Sequence, residues 1–209
     1  MLEFIKKIEA QLKGPLPGIE AQYRMAAVMR YNRIPPPPSA VDAGVLVLFF
    51  PKEKNWHLVL IERTSRYEND RHRGQISFPG GRVEPDDPSL EYTALREAKE
   101  EVGIDLQKVE VLGKLTELYI PISNFLVHPY VAFTQETPEF SPQPEEVAGI
   151  LEVPYDHFRQ EQNILKMDMT VRENIQLQEV PYFNIYGKVL WGATAMMISE
   201  LLAVLEQPR

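Results

Sequence analysis

The pattern of hydrophobic and polar positions predicts an amphipathic helix at the start of the chain. Apolar residues recur there at steps of three and four residues, at Leu2, Ile5, Ile8 and Leu12. This spacing places them on one face of a helix, and Gly14 and Pro15 end the pattern. The prolines at residues 35–38 indicate a stiff connector. We therefore expect residues 1–40 to form an N-terminal helix and a proline-rich connector that pack on the core.

Strands are predicted wherever β-branched and aromatic residues cluster, at residues 45–50, 56–61, 109–112 and 126–133. The first two runs are separated only by the polar residues 51–55, so they predict a hairpin or two adjacent strands.

Helical patterns cover residues 88–102 and 189–205. Asp87 is a good N-cap for the first of these helices, and Gly103 is expected to end it. Strands mixed with a few helices, without strict alternation, predict an α+β fold with a sandwich or a mixed sheet. We assign residues 41–209 to this main domain.

Composition excludes several classes of protein. The 209 residues are 44% hydrophobic and 25% charged, as in ordinary globular chains. The absence of cysteine excludes disulfides, thiolate zinc sites and a cysteine nucleophile. The net charge of -8 argues against a nucleic-acid binder but allows a small anionic substrate. The longest apolar run, residues 43–50, is far shorter than the roughly 20 residues that span a bilayer. We expect a cytoplasmic location without a membrane partner, and a homodimeric assembly is left open.

The sequence Arg-Glu-Ala-Lys-Glu-Glu-Val-Gly at residues 96–103 is the most informative segment. Glu97, Glu100 and Glu101 share an arc of about 100° on the predicted helix. Each like-charge pair destabilises a helix by roughly a few tenths of a kcal/mol, and Arg96 offsets only part of this repulsion. Clustered carboxylates bind Mg²⁺ or Mn²⁺, whereas the alternative is a solvated acidic face.

Two glycines precede the acidic helix. Gly80 and Gly81 predict a tight turn at which the backbone can approach a ligand closely. Backbone carbonyls at such a turn can complete a metal shell that the carboxylates begin. The alternative is a turn with no further role.

Together these segments resemble the Nudix box, the signature Gly-x5-Glu-x7-Arg-Glu-U-x-Glu-Glu-x-Gly-U, in which U is a bulky aliphatic residue. Gly81 stands at its first position, and residues 96–104 match its closing half with Ala98 at one U position. Fourteen residues separate Gly81 from Arg96, one more than in the signature. Counted back from Arg96, Pro88 stands where the signature has its isolated glutamate.

The same lengthening resembles the coenzyme A pyrophosphatase branch of the Nudix superfamily. The sequence Gly-Gln-Ile-Ser-Phe-Pro-Gly-Gly at residues 74–81 is similar to the end of the upstream motif of that branch. Arg63 matches the first arginine of this motif. The stretch from Arg63 to Gly74 is two residues longer than the motif, and Asp70 stands at the second arginine position, next to Arg71.

The resemblance implies a Nudix α/β/α sandwich with a mixed sheet and added terminal helices. It also implies hydrolysis of the diphosphate bond of coenzyme A or a derivative, which yields 3′,5′-ADP and 4′-phosphopantetheine. The implied ligands of Mg²⁺ or Mn²⁺ are Glu97, Glu100, Glu101 and the Gly81 carbonyl, with Arg96 orienting the glutamates. The alternatives are a Nudix hydrolase of ADP-ribose or a dinucleotide, and a non-catalytic module that senses a nucleotide.

Further candidates flank the box. The general base is expected to be Glu146 or a box glutamate, while the alternative for Glu146 is an ordinary loop charge. Arg63 and Arg71, with the main chain of Gly80 and Gly81, are expected to bind the substrate phosphates, although either arginine is alternatively a surface residue. Three aromatic residues are interpreted as core or interface residues: Tyr119, Phe125 and Trp191.

Overall fold

A computed structural model describes residues 2–27, 34–64, 74–171 and 175–206. The helices are α1 (Leu2–Leu12), α2 (Gly18–Tyr23), α3 (Leu90–Val102) and α4 (Gly192–Glu206). The strands are β1 (Val41–Lys52), β2 (Asn55–Arg63), β3 (Ile76–Ser77), β4 (Gly80–Arg82), β5 (Val109–Lys114), β6 (Leu118–Ile120), β7 (Phe125–Thr134), β8 (Val147–Pro154), β9 (Ile164–Val171), β10 (Ile175–Ile185) and β11 (Lys188–Leu190). None of the described helices is long and apolar enough to span a bilayer.

A long antiparallel hairpin of β1 and β2 forms the centre of the larger sheet. Its two-residue connection, Glu53 and Lys54, has φ values of 51° and 65°. Positive φ at both positions matches the right-handed twist of the flanking strands, as in type I′ hairpin turns. The predicted hairpin is confirmed, and both strands are longer than their apolar runs.

The larger sheet is mixed. Its strand order is β3–β2–β1–β7–β5, with β4 also paired to β1, β6 to β7 and β8 to β2. β1 and β7 are parallel, whereas the other pairs are antiparallel. The predicted mixed sheet is therefore confirmed. A separate antiparallel sheet of β9, β10 and β11 was not predicted.

Helices cover both faces of the larger sheet. On β1, Leu46 and Leu48 point to the side on which Ala98 of α3 packs. The intervening Val47 and Phe49 belong to the other part of the core, which contains buried residues of α1 and α4. Since neighbouring strand residues face opposite sides, β1 is buried on both faces. This arrangement is the predicted α/β/α sandwich.

The N-terminal segment packs on this sandwich. Ile5 and Ile8 of α1 are buried in the core that includes α4, and α2 lies against α4. The bounds of α1 agree with the predicted helix. The division at residue 40 stays a prediction.

Two predicted helix starts are wrong. The N-cap of α3 is Ser89, whose hydroxyl accepts a hydrogen bond of 3.1 Å from the Tyr92 amide. Asp87 is therefore not the cap, because its carboxylate is used elsewhere. Residues 188–190 form β11, so α4 starts after the predicted residue 189. Gly103 ends α3 with a φ of 71°, as predicted.

Candidate active site

Close packing of α3 on β1 positions the acidic face of the helix. A Cβ atom at Gly44 of β1 would lie 2.6 Å from the Leu90 carbonyl oxygen and 2.8 Å from the Ala94 nitrogen. Both atoms are backbone of α3, so any larger residue would push the helix away. The distance between helix and sheet thus depends on this glycine.

Gly80 and Gly81 lie in the short strand β4 rather than in the predicted tight turn. They pair with Val45 and Gly44 of β1, directly beside α3. A Cβ atom at Gly81 would lie 2.4 Å from the carboxyl carbon of Glu97. The Glu97 carboxylate therefore occupies the space that a side chain at residue 81 would need, next to the Gly81 main chain.

Glu101 is the most buried acid of α3, with 1% of its surface exposed. Its carboxylate accepts a 2.8 Å hydrogen bond from the Gly80 amide and a 3.2 Å hydrogen bond from Arg63. Burial raises the pKa of Glu101 to about 7, against the opposing effect of Arg63 and the Gly80 amide. The negative charges of Glu97 and Glu146 add to this rise.

Glu97 shares this electrostatic environment. Burial raises the pKa of its carboxyl group, and the nearby charges of Glu100 and Glu146 act in the same direction. Arg96 opposes the rise through a 3.0 Å contact with the Glu97 carboxylate. The anionic forms of Glu97 and Glu101 are thus disfavoured here, and additional positive charge nearby would stabilise them.

Arg96 organises the other charges of the helix. Its Nε and Nη2 donate hydrogen bonds of 2.9 Å to the two carboxylate oxygens of Asp87. Its Nη1 donates to the carboxylates of Glu97 and Glu100, at 3.0 and 3.1 Å. The contact with Glu100 joins residues four positions apart on α3. The hydrogen bonds with Arg96 lower the pKa of Asp87, and Asp87 raises that of Arg96.

Sequence reasoning missed the role of Asp87. Its side chain is only 3% exposed, and it also accepts hydrogen bonds from the Thr93 hydroxyl and the Glu84 amide. A signal for it existed, because Asp87 occupies the acidic position of the box when residues are counted forward from Gly81. The extra residue of this chain therefore lies between Asp87 and Arg96.

A cavity of about 780 Å³ lies beside these groups. Of the predicted site residues, it brings together Arg63, Gly80, Gly81, Glu97, Glu101 and Glu146. Glu100 lies outside the cavity wall, with 58% of its side chain exposed. Arg71 is outside the described residues.

The aromatic residues around the cavity correct the sequence interpretation. Phe125 and Trp191 line the cavity, although Phe125 also packs against the core as predicted. Tyr119 instead donates a 2.9 Å hydrogen bond to Asn124. Trp191 follows β11, a strand that was not predicted, so its position depends on the pairing of β11 with β10.

The donor atoms at this end of the cavity fit a hard dication. Carboxylate and carbonyl oxygens are the preferred ligands of Mg²⁺ and Mn²⁺, and the absence of a side chain at Gly81 leaves its main chain beside Glu97. As the side chains lie, no three acidic or histidine residues in the described part of the chain form a ready metal cluster. Arg96 holds Glu97 and Glu100, and Arg63 holds Glu101.

The fold and site define a class of protein in which a glycine strand and an acidic helix line a large cavity of an α/β/α sandwich. Residues 39–173 match the NUDIX domain family model. The chain is 37% identical over 175 residues to the uncharacterized Nudix hydrolase NudL of Photorhabdus laumondii, covering 81% of this chain and 90% of that protein. It is 40% identical over 200 residues to NudL of Yersinia pestis (strain Pestoides F), covering 95% and 92%. The chain therefore belongs to the Nudix family.

A solved structure agrees with this fold. The Nudix hydrolase RenU of M. smegmatis superposes with a TM-score of 0.54, at 16% sequence identity, over 79% of this chain and 85% of that chain. At this identity the similarity concerns the fold alone.

Proposed function

We propose that this Nudix protein hydrolyses the diphosphate bond of coenzyme A or a derivative to 3′,5′-ADP and 4′-phosphopantetheine. The observation that carries the proposal is the meeting of three groups at one end of a large cavity: the Gly81 main chain and the carboxylates of Glu97 and Glu101. The cavity volume of about 780 Å³ is within the range of sites for small organic ligands, roughly 300–1,000 Å³.

Mg²⁺ or Mn²⁺ is the proposed cofactor. Glu97, Glu100, Glu101 and the Gly81 carbonyl would hold the ions. Bound dications withdraw charge from a diphosphate, orient the leaving group and make a water ligand more acidic. Arg96 is a positioning residue in this proposal, because it contacts two of these carboxylates and is itself fixed by Asp87.

The protein also has to bind the phosphates and activate water. Arg63 lines the cavity, and its guanidinium carries more donors than the one that contacts Glu101. We propose that Arg63, Arg71 and the main chain of Gly80 and Gly81 contact the phosphates. The general base is Glu146 or a box glutamate.

Position supports Glu146 as the base. The residue lines the cavity immediately before β8, and its main chain is fixed by hydrogen bonds to Gln143 and from Thr64. If it is the base, Glu146→Gln lowers kcat by roughly 10²–10⁴-fold with little change in Mn²⁺ affinity. A loss below about threefold would transfer the role to a box glutamate.

Product analysis tests the substrate. The purified protein is incubated with coenzyme A, ADP-ribose or a dinucleotide and Mg²⁺ or Mn²⁺, and the products are identified by mass spectrometry. We expect 3′,5′-ADP and 4′-phosphopantetheine from coenzyme A, formed faster than products of the other two compounds. Faster cleavage of ADP-ribose or the dinucleotide would reject coenzyme A as the substrate. Binding of all three without cleavage would reject hydrolysis and favour a sensor.

A further inference from the structure

A second cavity adjoins the first one. Its volume is about 400 Å³, and it shares Gln75, Ile76 and Trp191 with the 780 Å³ cavity that contains the glutamates. The shared wall has a structural origin, because β11 lies against β3 and Trp191 directly follows β11. We call this smaller space the Trp191 chamber.

The walls of the Trp191 chamber suit a flat ring. Trp191 lines the chamber, and an indole can stack on a flat ring. Met167 and Met169 from β9 add two thioethers, which make favourable contacts with aromatic rings. Lys188 and Glu62 form a 2.8 Å ion pair in the same wall. An ammonium and a carboxylate can donate to and accept from the polar edge of a heterocycle.

Another wall of the large cavity has a different character. Ile120, Ile122 and Phe125 line it together with Met197 of α4. Ile122 is 45% exposed, so this wall opens towards solvent at an apolar rim. Apolar side chains of this kind suit a flexible, largely apolar chain rather than the polar edge of a ring. We call these four residues the apolar wall.

We propose that the two regions orient a two-armed substrate, with its nucleobase stacked on Trp191 in the Trp191 chamber and its flexible arm along the apolar wall. The diphosphate then lies between them, at Glu97 and Glu101. This inference rests on the proposed function, since it assumes that the substrate joins a nucleotide to a second moiety through a diphosphate. It assigns Trp191 as a residue that binds the base.

The two tryptophans of the chain make the proposal measurable. Trp56 is 9% exposed and packs in the core against the rings of Phe49 and Phe133. In a Trp56→Phe variant, Trp191 is therefore the only source of tryptophan fluorescence. Titrations with 3′,5′-ADP and with 4′-phosphopantetheine, both in EDTA, compare the two arms without cleavage. We expect saturable quenching by 3′,5′-ADP and none by 4′-phosphopantetheine.

Two single variants that keep Trp56, Trp191→Leu and Ile122→Ser, test the assignment separately. Calorimetry measures the affinity of each for 3′,5′-ADP and for 4′-phosphopantetheine. Trp191→Leu should weaken 3′,5′-ADP by roughly tenfold or more, because base stacking on an aromatic side chain is lost. It should change 4′-phosphopantetheine binding by no more than about twofold, as expected for a distant site. Ile122→Ser should weaken the binding of 4′-phosphopantetheine and leave the binding of 3′,5′-ADP nearly unchanged. With coenzyme A and Mn²⁺, Trp191→Leu should raise KM while kcat is nearly unchanged.

Failure of this inference differs from failure of the proposed function. Quenching by 4′-phosphopantetheine, or equal weakening of both ligands by Trp191→Leu, would overturn the orientation even if coenzyme A is hydrolysed. Quenching by 3′,5′-ADP in a protein that does not cleave coenzyme A would support the base site and reject the proposed substrate.

Discussion

Among the residues that the structure describes, two glutamates are buried, and their surroundings differ. Glu101 and Glu200 have 1% and 0% of their surface exposed. The carboxylate of Glu200 on α4 accepts hydrogen bonds from the amides of Gly18 and Thr116, from the Thr116 hydroxyl and from the Gln22 side chain. Glu101 has the Gly80 amide and Arg63 as donors, but Glu97 and Glu146 add negative charge around it.

The comparison shows why burial alone does not identify a site. A buried carboxylate is compatible with a stable fold when its oxygens are fully hydrogen-bonded, and Glu200 meets this condition while joining α2 to α4. Glu101 is instead held next to like charges in a cavity wall. Carboxylates in such an arrangement are suited to binding a cation. If the two glutamates differ in this way, substitutions at Glu101 should affect catalysis and metal binding, whereas a substitution at Glu200 should affect stability.

The largest effect is expected for Glu101→Gln. This change keeps the shape of the side chain and removes a proposed ligand, so kcat should fall at least about a hundredfold, since metal ions supply several kcal/mol of charge stabilisation. Steady-state kinetics with Mn²⁺ measure the rate, and circular dichroism checks the fold. Glu91→Gln is the control, because it removes one charge from the exposed first turn of α3. Equal rates for Glu101→Gln and the wild type would refute the metal-binding role.

Gly81→Ala should lower kcat nearly as much as Glu101→Gln does. The added Cβ would overlap the Glu97 carboxylate, at 2.4 Å from its carboxyl carbon, and displace it. A displacement of about 1 Å in an active site can lower activity by about a hundredfold. Mn²⁺ affinity, measured by calorimetry, should fall in parallel. In the control Gly149→Ala, the nearest atom to the added Cβ is a Glu62 oxygen at 3.9 Å, so neither quantity should change. Unchanged Mn²⁺ affinity in Gly81→Ala would contradict a site at this position.

Asp87→Asn should lower activity or Mn²⁺ affinity by roughly 10–100-fold, as for other residues that orient ligands. The change weakens the two hydrogen bonds that fix Arg96, which in turn holds Glu97. The exposed neighbour gives the control, Asp86→Asn. Because Arg96 lowers the pKa of Asp87, the contribution of Asp87 to stability persists at neutral pH and is lost only in acid. The variant should therefore unfold at lower temperature than the wild type at pH 7 and similarly in strong acid.

Local sequence patterns predicted much of the fold. The bounds of α1, the β1–β2 hairpin and the end of α3 depend on nearby residues, so they could be read directly. The β9–β10–β11 sheet was not predicted, although the alternation of methionine with charged residues at residues 166–169 is typical of a strand with one buried face. Lysine and aspartate are depleted in strands, so the composition of this segment did not indicate one.

The candidate site, like the fold, was predictable only where it depends on residues close together in sequence. The spacing of Glu97 and Glu101 predicted that they share one face of the helix, and both line the cavity. It did not reveal that Glu100 faces solvent. The Asp87–Arg96 pair depends on the conformation of the loop before α3, although the spacing from Gly81 pointed to Asp87. The position of Trp191 depends on the pairing of β11 with β10 and on the contact of β11 with β3.

The electrostatic difference between the two glutamates should appear in the pH dependence of stability. The folded-state pKa of Glu101, about 7, is above its ordinary value of 4.5, so the folded state binds an extra proton between these values. The contribution of Glu101 to stability is therefore greatest below about pH 4.5 and is lost as the pH rises through 7. Relative to Glu101→Gln, the metal-free wild type should lose about 2–4 kcal/mol of unfolding free energy between these limits. Urea titrations at a series of pH values measure this, and parallel curves would contradict it.

The smallest effect on activity is expected for Glu200→Gln, which completes the comparison. The amide places an N–H₂ group where the carboxylate accepted hydrogen bonds, so a donor such as the Gly18 or Thr116 amide loses its acceptor. One buried donor without a partner costs about 1–3 kcal/mol of stability. Thermal unfolding should show this loss, whereas kcat and Mn²⁺ affinity per folded molecule should equal those of the wild type. A rate loss in the folded variant would mean that Glu200 acts on the cavity through α4, which also carries Met197. Glu200 could then no longer be regarded as a purely structural residue in contrast to Glu101.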